Sequence, residues 1–290
     1  MAIEGVAKTA LLGVEMGMTL VLVTVGLTLI FGMMDVINFA HGSLYMLGAY
    51  FGLTVVTVTG NWWAALLVAP LLVGLLGGLI EYLSIRPLYG RNPLYHILLT
   101  FGFAIMLHGL VTEIWGGQVQ NIATPALLEG SVDLVLFSYP LFRLFLLGVS
   151  IAVTAALWVA MRRSDFGIVM RASAHDSEMV DALGTDVKRV FTAVFVLGSI
   201  LAGLAGVLLG TSRAVDPGMA ASIIIQAFAI VVIGGLGSYR GAVVGAFVVG
   251  MLNAFGPTFA PQFTDALLYL LMAAVLLVKP AGLFGSPEGA

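Results

Sequence analysis

Charged residues are spaced so that long stretches of the chain carry none. The charge-free stretches are 16–34, 36–80, 92–112, 144–161, 190–212, 217–239 and 241–264, with a shorter one at 266–278. A helix of about 20 apolar residues crosses a bilayer core. The 36–80 stretch is too long for one helix, and Gly60-Asn61 divides it. Trp62 and Trp63 follow at once, as an interfacial aromatic belt would have them. The pattern therefore predicts nine apolar helices, over roughly 10–31, 42–59, 62–83, 94–115, 141–161, 190–211, 219–234, 241–256 and 263–278. The segments 219–234 and 241–256 are short and flank Gly234-Gly235-Leu236-Gly237. They read either as full spans or as two halves of a broken, re-entrant pair.

Composition sharpens this picture. Hydrophobic residues make up 60% of the chain, charged residues 9%, and mean hydropathy is +1.10. The expected fold is all-α: one polytopic membrane helix bundle over residues 1–290, with about eight or nine transmembrane segments and glycine-rich breaks. No GxxxxGK[ST] phosphate-binding loop occurs, so ATP hydrolysis would have to come from another chain. The chain has no Cys, which excludes disulfides and thiolate metal sites. Met1 to Lys8 lacks a basic n-region, and the apolar stretch after it is too long for a signal peptide, so it reads as a retained first helix.

Lys and Arg set the orientation. Arg162, Arg163, Arg171, Lys188 and Arg189 cluster in one connection, which is expected to be cytoplasmic. Arg86 and Arg91 mark a second cytoplasmic loop. The connection 116–140 has neither Lys nor Arg and carries Glu129 and Asp133, so it reads as external. Alternation then puts Arg213 to Asp216 outside, Arg240 inside and Lys279 inside, with a cytoplasmic C-terminus. The N-terminus stays open: nine full crossings put it outside, and a re-entrant segment among the first three would put it inside.

Two breaks stand out. Gly32 to Ser43 places Asp35, Asn38, His41 and Ser43 between two strongly apolar helices. Polar groups and unwound backbone at membrane depth are tolerated only against protein or a wet cavity. The break reads either as pathway-lining or as an ordinary tight loop. The second break is Gly234 to Gly241. Gly48-Ala49-Tyr50-Phe51 and Gly245-Ala246-Phe247-Val248 each follow a Gly-Ser pair, a candidate internal repeat of the kind that places a transport site between two halves.

The connection 162–189 is the only stretch dense in both charge signs. Ser173 reads as a helix N-cap with Asp176 in the first turn, and Gly184 as the stop. Met179, Val180, Ala182 and Leu183 give this helix, near 174–183, an apolar side suited to a groove on a partner. A solvated loop helix is the other reading. Glu15 and Glu113 sit near segment ends and read as interfacial. His96 and His108 read as packing histidines, with no carboxylate partner beside them. No metal-ligand spacing and no nucleophile–base pair appears, so no catalytic or metal residue is assigned and an enzyme is not expected.

Gly26-Leu27-Thr28-Leu29-Ile30-Phe31-Gly32 followed by Val36-Ile37-Asn38-Phe39-Ala40-His41-Gly42 resembles the opening of the branched-chain amino acid ABC importer permeases, of the shorter, LivH-type subunit. Thr100-Phe101-Gly102, Gly167, Arg171-Ala172, Gly184, Ala202 to Leu208, and Gln226-Ala227-Phe228 through Gly234-Gly235-Leu236-Gly237-Ser238 are similar to that family's later motifs. The resemblance implies a multi-pass subunit of a bacterial or archaeal cytoplasmic membrane that pairs with a second, homologous permease chain as a heterodimer. It implies two ATPase subunits, which bind ATP and Mg²⁺, and an extracytoplasmic binding protein. No cofactor in this chain and no nucleic acid is implied. Substrates would be leucine, isoleucine and valine, or in relatives other amino acids, urea, short amides or aromatic acids.

These readings combine into a permease that works by alternating access. The candidate pathway residues are Asn38, His41, Ser43, Thr100, Gln226 and Ser238. The candidate ATPase-coupling residues are Arg171, Asp176, Glu178, Val180, Asp181, Leu183 and Gly184. Two other classes remain: an ion-coupled secondary transporter, for which Asp35 is the best-placed acid, and a passive channel with a glycine-rich filter.

Overall fold

The computed structural model describes residues 3–134 and 137–285. Each predicted apolar segment is a helix. α1 is Ile3–Met34, α2 His41–Thr59, α3 Trp62–Ile80, α4 Pro93–Trp115 and α5 Leu141–Arg163. α6 (Asp165–His175) and α7 (Ser177–Ala182) lie in the charged connection, and α8 (Val187–Ser212), α9 (Met219–Gly234), α10 (Tyr239–Phe259) and α11 (Thr264–Val278) complete the bundle. Seven of these are long and apolar enough to cross a membrane, and α9 and α11 are shorter apolar helices. The protein is a multi-pass, all-α membrane bundle.

Local chemistry sets several boundaries. Gly60 ends α2 at φ +65°, and the Asn61 side chain accepts from the Trp63 and Ala64 amides, starting α3. The two tryptophans do not share one role. Trp62 turns inward, buried against Phe142 and Phe145, and its indole donates to Thr211 at 2.9 Å; only Trp63 keeps a half-exposed ring. α3 runs on through a π-turn, Glu81–Ile85, and a 3₁₀ turn, Arg86–Leu88. The 116–140 connection holds a hairpin absent from the periodicity reading, β1 (Ser131–Leu134) and β2 (Phe137–Pro140), antiparallel with Ser131 opposite Pro140. Two four-residue strands are too short for a period of two to register.

Glycines let the inner helices touch. Gly48 of α2 faces the Gly203 backbone, and Gly206 of α8 faces the Tyr45 carbonyl. α1 and α10 run antiparallel, with Gly13 against Met251, Gly17 against Phe247 and Gly32 against Gly237. α4 and α5 are peripheral, with most of their surface turned outward.

These contacts order the two faces of the bundle. Arg86 bonds the Lys188 carbonyl, and Gly32 meets Gly237 close to Arg171, so all these connections share one side. Glu15 of α1 pairs with Arg143 at the start of α5, and Gln120 exchanges backbone bonds with Val215. The beginning of α1 therefore lies on the side of 116–140. α9 starts on that same side and ends beside Gly32 and Gly237, so it runs the whole depth of the bundle. After α11 the chain returns, and the Leu283 and Phe284 amides donate to the Ile233 and Gly234 carbonyls. Those carbonyls would otherwise be unpaired at the end of α9.

Candidate functional site

At Asp35 the chain turns sharply out of α1, with φ +51°, a left-handed conformation that a short polar residue tolerates. Residues 35–38 are non-helical and lead back into the bundle, so that α2 begins at His41 beside Val23 of α1. α2 thus starts well inside the bundle, not at its surface. Asn38 and His41 are fully buried there. His41 Nε2 donates to the Val23 carbonyl at 3.0 Å. Neither amide atom of Asn38 has a partner, and neither does His41 Nδ1. Unpaired polar atoms this deep are unusual.

Thr100 of α4 holds this segment. Its hydroxyl accepts from the Phe39 amide at 3.1 Å and lies 3.0 Å from the Ile37 carbonyl and 2.8 Å from that of His96. The Ile97 carbonyl is also in reach at 3.3 Å, and a hydroxyl has one proton to give, so it serves one carbonyl at a time. Ser43 donates to the Ala104 carbonyl at 3.3 Å. A cavity of ≈ 240 Å³ lies beside these residues, between α2, α4 and α9. Phe39, Phe101, Ile105 and Ile224 make it apolar, and Ser43 and His108 supply its polar edges. His108 Nδ1 donates to the Pro217 carbonyl at 3.1 Å.

The structure thus brings Asn38, His41, Ser43 and Thr100 to one locus. Gln226 is half-buried on α9 outside the lining of that cavity. Ser238 is remote, at the α9–α10 turn, where it caps α10 by accepting from the Gly241 amide at 3.1 Å. Phe39, Phe101 and His108 were not among the residues expected from the sequence. Phe101 stands in the Thr100-Phe101-Gly102 motif, but side-chain direction on α4 is not written in spacing alone.

The acids fall differently from the expectation. Asp35 is exposed. Glu15 is not interfacial at a segment end: it lies within α1, buried, 3.2 Å from Arg143. Glu81 is also buried and bonds Arg86 at 3.4 Å and the Tyr89 hydroxyl. Burial, and then that bond, push the Tyr89 phenol above its ordinary value, so it remains a donor. Both deep acids therefore have a cationic partner. Among the described residues no three His, Asp or Glu side chains gather as a metal site.

The charged connection is two helices, not one. Ser164 caps α6, accepting from the Gly167 amide at 3.0 Å. Ser173, read as an N-cap, is instead buried inside α6; Asp176 is the cap of α7, accepting from the Met179 amide at 2.8 Å. Gly184 follows α7 at φ +91°, which fits its role as a stop. Val180 is 8% exposed and packs inward, so it does not belong to an outer contact face. Met179 and Leu183 do, at 57% and 78% exposed. Glu178, Asp181 and Arg171 are exposed around them.

The fold is a multi-pass membrane bundle with an unwound, polar segment inside it and a charged helical pair on one face. A family model described as branched-chain amino acid transport system / permease component matches residues 9–276. The chain belongs to that family. It is 33% identical to the high-affinity branched-chain amino acid transport system permease protein BraD of Pseudomonas aeruginosa, over 95% of this chain and 94% of the relative. LivH of Escherichia coli, of the same description, is 31% identical over 95% and 94%. A probable LivH of Methanocaldococcus jannaschii is 30% identical over 92% and 88%. The chain is accordingly a transmembrane permease component of an importer, not an enzyme.

Proposed function

We propose that this subunit carries branched-chain amino acids across the cytoplasmic membrane by alternating access, driven by separate ATPase subunits that bind ATP and Mg²⁺. Family membership over nearly the whole chain carries the reading. The 35–40 segment and the adjoining cavity supply its geometry: the cavity is smaller than the ~300–1,000 Å³ of a drug-sized site and apolar enough for an aliphatic side chain. Asn38 and His41, with Ser43, form a polar seam beside it, and Thr100 positions the seam. Gln226 and Ser238 would join the pathway only in another conformation of the α9–α10 pair.

The chain crosses the membrane nine times in this reading, with the N-terminus outside and the C-terminus in the cytoplasm. The pathway is completed by a second, homologous permease chain, and a binding protein delivers substrate to the outer face. Residues 162–189 form the coupling segment, with Met179 and Leu183 as its apolar contact and Glu178, Asp181 and Arg171 at the rim. Asp176 and Gly184 shape the helix. Movement there passes to α8 through Asp186, which caps that helix, and to the α3–α4 connection through the Arg86–Lys188 bond.

The sidedness is checked with single cysteines in this Cys-free chain, Glu178→Cys and Ser131→Cys, both at exposed positions. An impermeant thiol reagent applied to intact cells is expected to label position 131 and spare 178; the opposite pattern would invert the topology. The transport reading is tested by uptake of labelled leucine, isoleucine and valine in cells lacking and regaining this chain with its co-encoded subunits. Restored uptake that vanadate abolishes is expected. Uptake restored by the chain without any ATPase would favour a secondary transporter or channel.

A further inference from the structure

A cleft opens on the outer wall of the bundle between α5 and α10, floored by Met18 of α1. It encloses ≈ 490 Å³, and its walls are apolar: Ile151, Ala155 and Trp158 from α5, Val243 and Val244 from α10. From Ile151 to Trp158 it extends about 10 Å along α5, at 1.5 Å per residue. Toward the charged connection it runs into a second hollow of ≈ 230 Å³, which shares Trp158, Tyr239 and Arg240 and adds Arg162 and Arg171.

Three arginines, Arg162, Arg171 and Arg240, therefore line one hollow at the end of an apolar slot. No Asp or Glu lines either hollow among the described residues. The ion pairs among those residues are Glu81–Arg86, Glu15–Arg143 and Asp186–Arg189, so none involves the three arginines. Arg162 is held over the Trp158 ring, 4.5 Å from its centroid, which keeps its charge at the mouth. The Tyr239 hydroxyl is tied to the Thr154 carbonyl at 2.7 Å and braces one helix on the other. Like charges gathered without a counter-ion favour an anion between them, and guanidinium forks match phosphate oxygens.

The slot lies along membrane-spanning helices and opens outward, and the arginines lie at the end where the helices leave the bilayer. We propose that the cleft holds an anionic phospholipid of the leaflet on the Arg162–Arg189 side. Its phosphate sits between Arg162 and Arg240, with Arg171 at the edge it shares with the charged connection, and an acyl chain lies along the slot. The lipid would bind α5, α6 and α10 together next to the charged connection. An acidic segment of a partner subunit would use the arginines but leave the slot empty, and so would a soluble phosphate.

The test uses the full-length chain, purified in mild detergent with the subunits that accompany it. It is mixed with phosphatidylglycerol and phosphatidylcholine, and retained lipid is read by native mass spectrometry. Wild type is expected to keep phosphatidylglycerol in preference. Each basic side chain near an anionic lipid surface contributes about fivefold, so Arg162→Gln with Arg240→Gln is expected to cut the preference about thirtyfold. Ala155→Trp fills the slot from an exposed position and leaves the arginines in place; it is expected to lower retention as well. No preference in wild type, or an unchanged preference in the double variant, would overturn the proposal. So would a loss in the double variant with none in Ala155→Trp, which would assign the arginines to a soluble anion or an acidic partner segment. Lipid retention is read directly, so the result does not depend on which solute the transporter carries.

Discussion

Replacing Gly48 by leucine is expected to remove most of the folded protein from the membrane. A Cβ at this position would overlap the backbone of Gly203, both its carbonyl oxygen and its Cα. A flexible side chain could swing away from such an overlap; a helix backbone can move only by pushing α2 off α8. That contact is central, because α8 also lies against α1 at Gly26 and Gly198 and against α3 at Pro70 and Gly203. Overpacking costs about 1–3 kcal/mol, and a clash with backbone falls at the upper end of that range, a large part of the stability of a typical domain. Gly148 on α5 is the matched control, since a Cβ there meets nothing within 4 Å. The measurement is the amount of protein in the membrane and the thermal midpoint of the detergent-solubilised chain. Equal losses for Gly48→Leu and Gly148→Leu would show that the α2–α8 contact is not the close one described.

Leu183→Asp is expected to leave the permease in the membrane at normal amounts and to abolish both ATPase association and uptake. Leu183 is 78% exposed at the end of α7, so its replacement disturbs nothing within the chain. If the side chain enters a groove on an ATPase, the substitution buries an unpaired carboxylate there, at about 3 kcal/mol or more. That is about a hundredfold in affinity. Val180→Asp gives the contrast. Val180 is buried against the chain itself, so that variant is expected to lose folded protein as well as association. The readout is co-purification of the ATPases, normalised to permease. Full retention of ATPase and transport by Leu183→Asp would return α7 to the status of a solvated loop helix.

The spacing of charges places every apolar helix except the boundary between α2 and α3, because the requirement it reflects is set by the bilayer and not by the partners a helix finds. Gly60-Asn61 is legible for a similarly local reason: a left-handed cap followed by an amide side chain ends one helix and starts the next. The local pattern puts the cap of this helix at Ser173, three residues before Asp176, which caps α7. Ser173 and Asp176 are both competent caps, and only the packing of α6, which buries Ser173, selects between them. The apolar positions of α7 form one side in the sequence, whereas in the fold Val180 is buried and Leu183 is exposed.

The sequence by itself determined the class of protein: charge-free stretches of membrane length, polar residues gathered at two breaks, and arginines concentrated in one connection follow from transfer energies along the chain. The family motifs lay in the same linear record. Only the tertiary structure decided that α2 begins inside the bundle, that Glu15 is neutralised by Arg143 and Glu81 by Arg86, and that Phe39, Phe101 and His108 share a cavity with Ser43. It also decided that Arg162, Arg171 and Arg240 line one hollow. Each of these depends on residues far apart in the chain coming within a few ångströms, and the register of one helix against another is set by close-packed side chains and glycine contacts that no local pattern encodes.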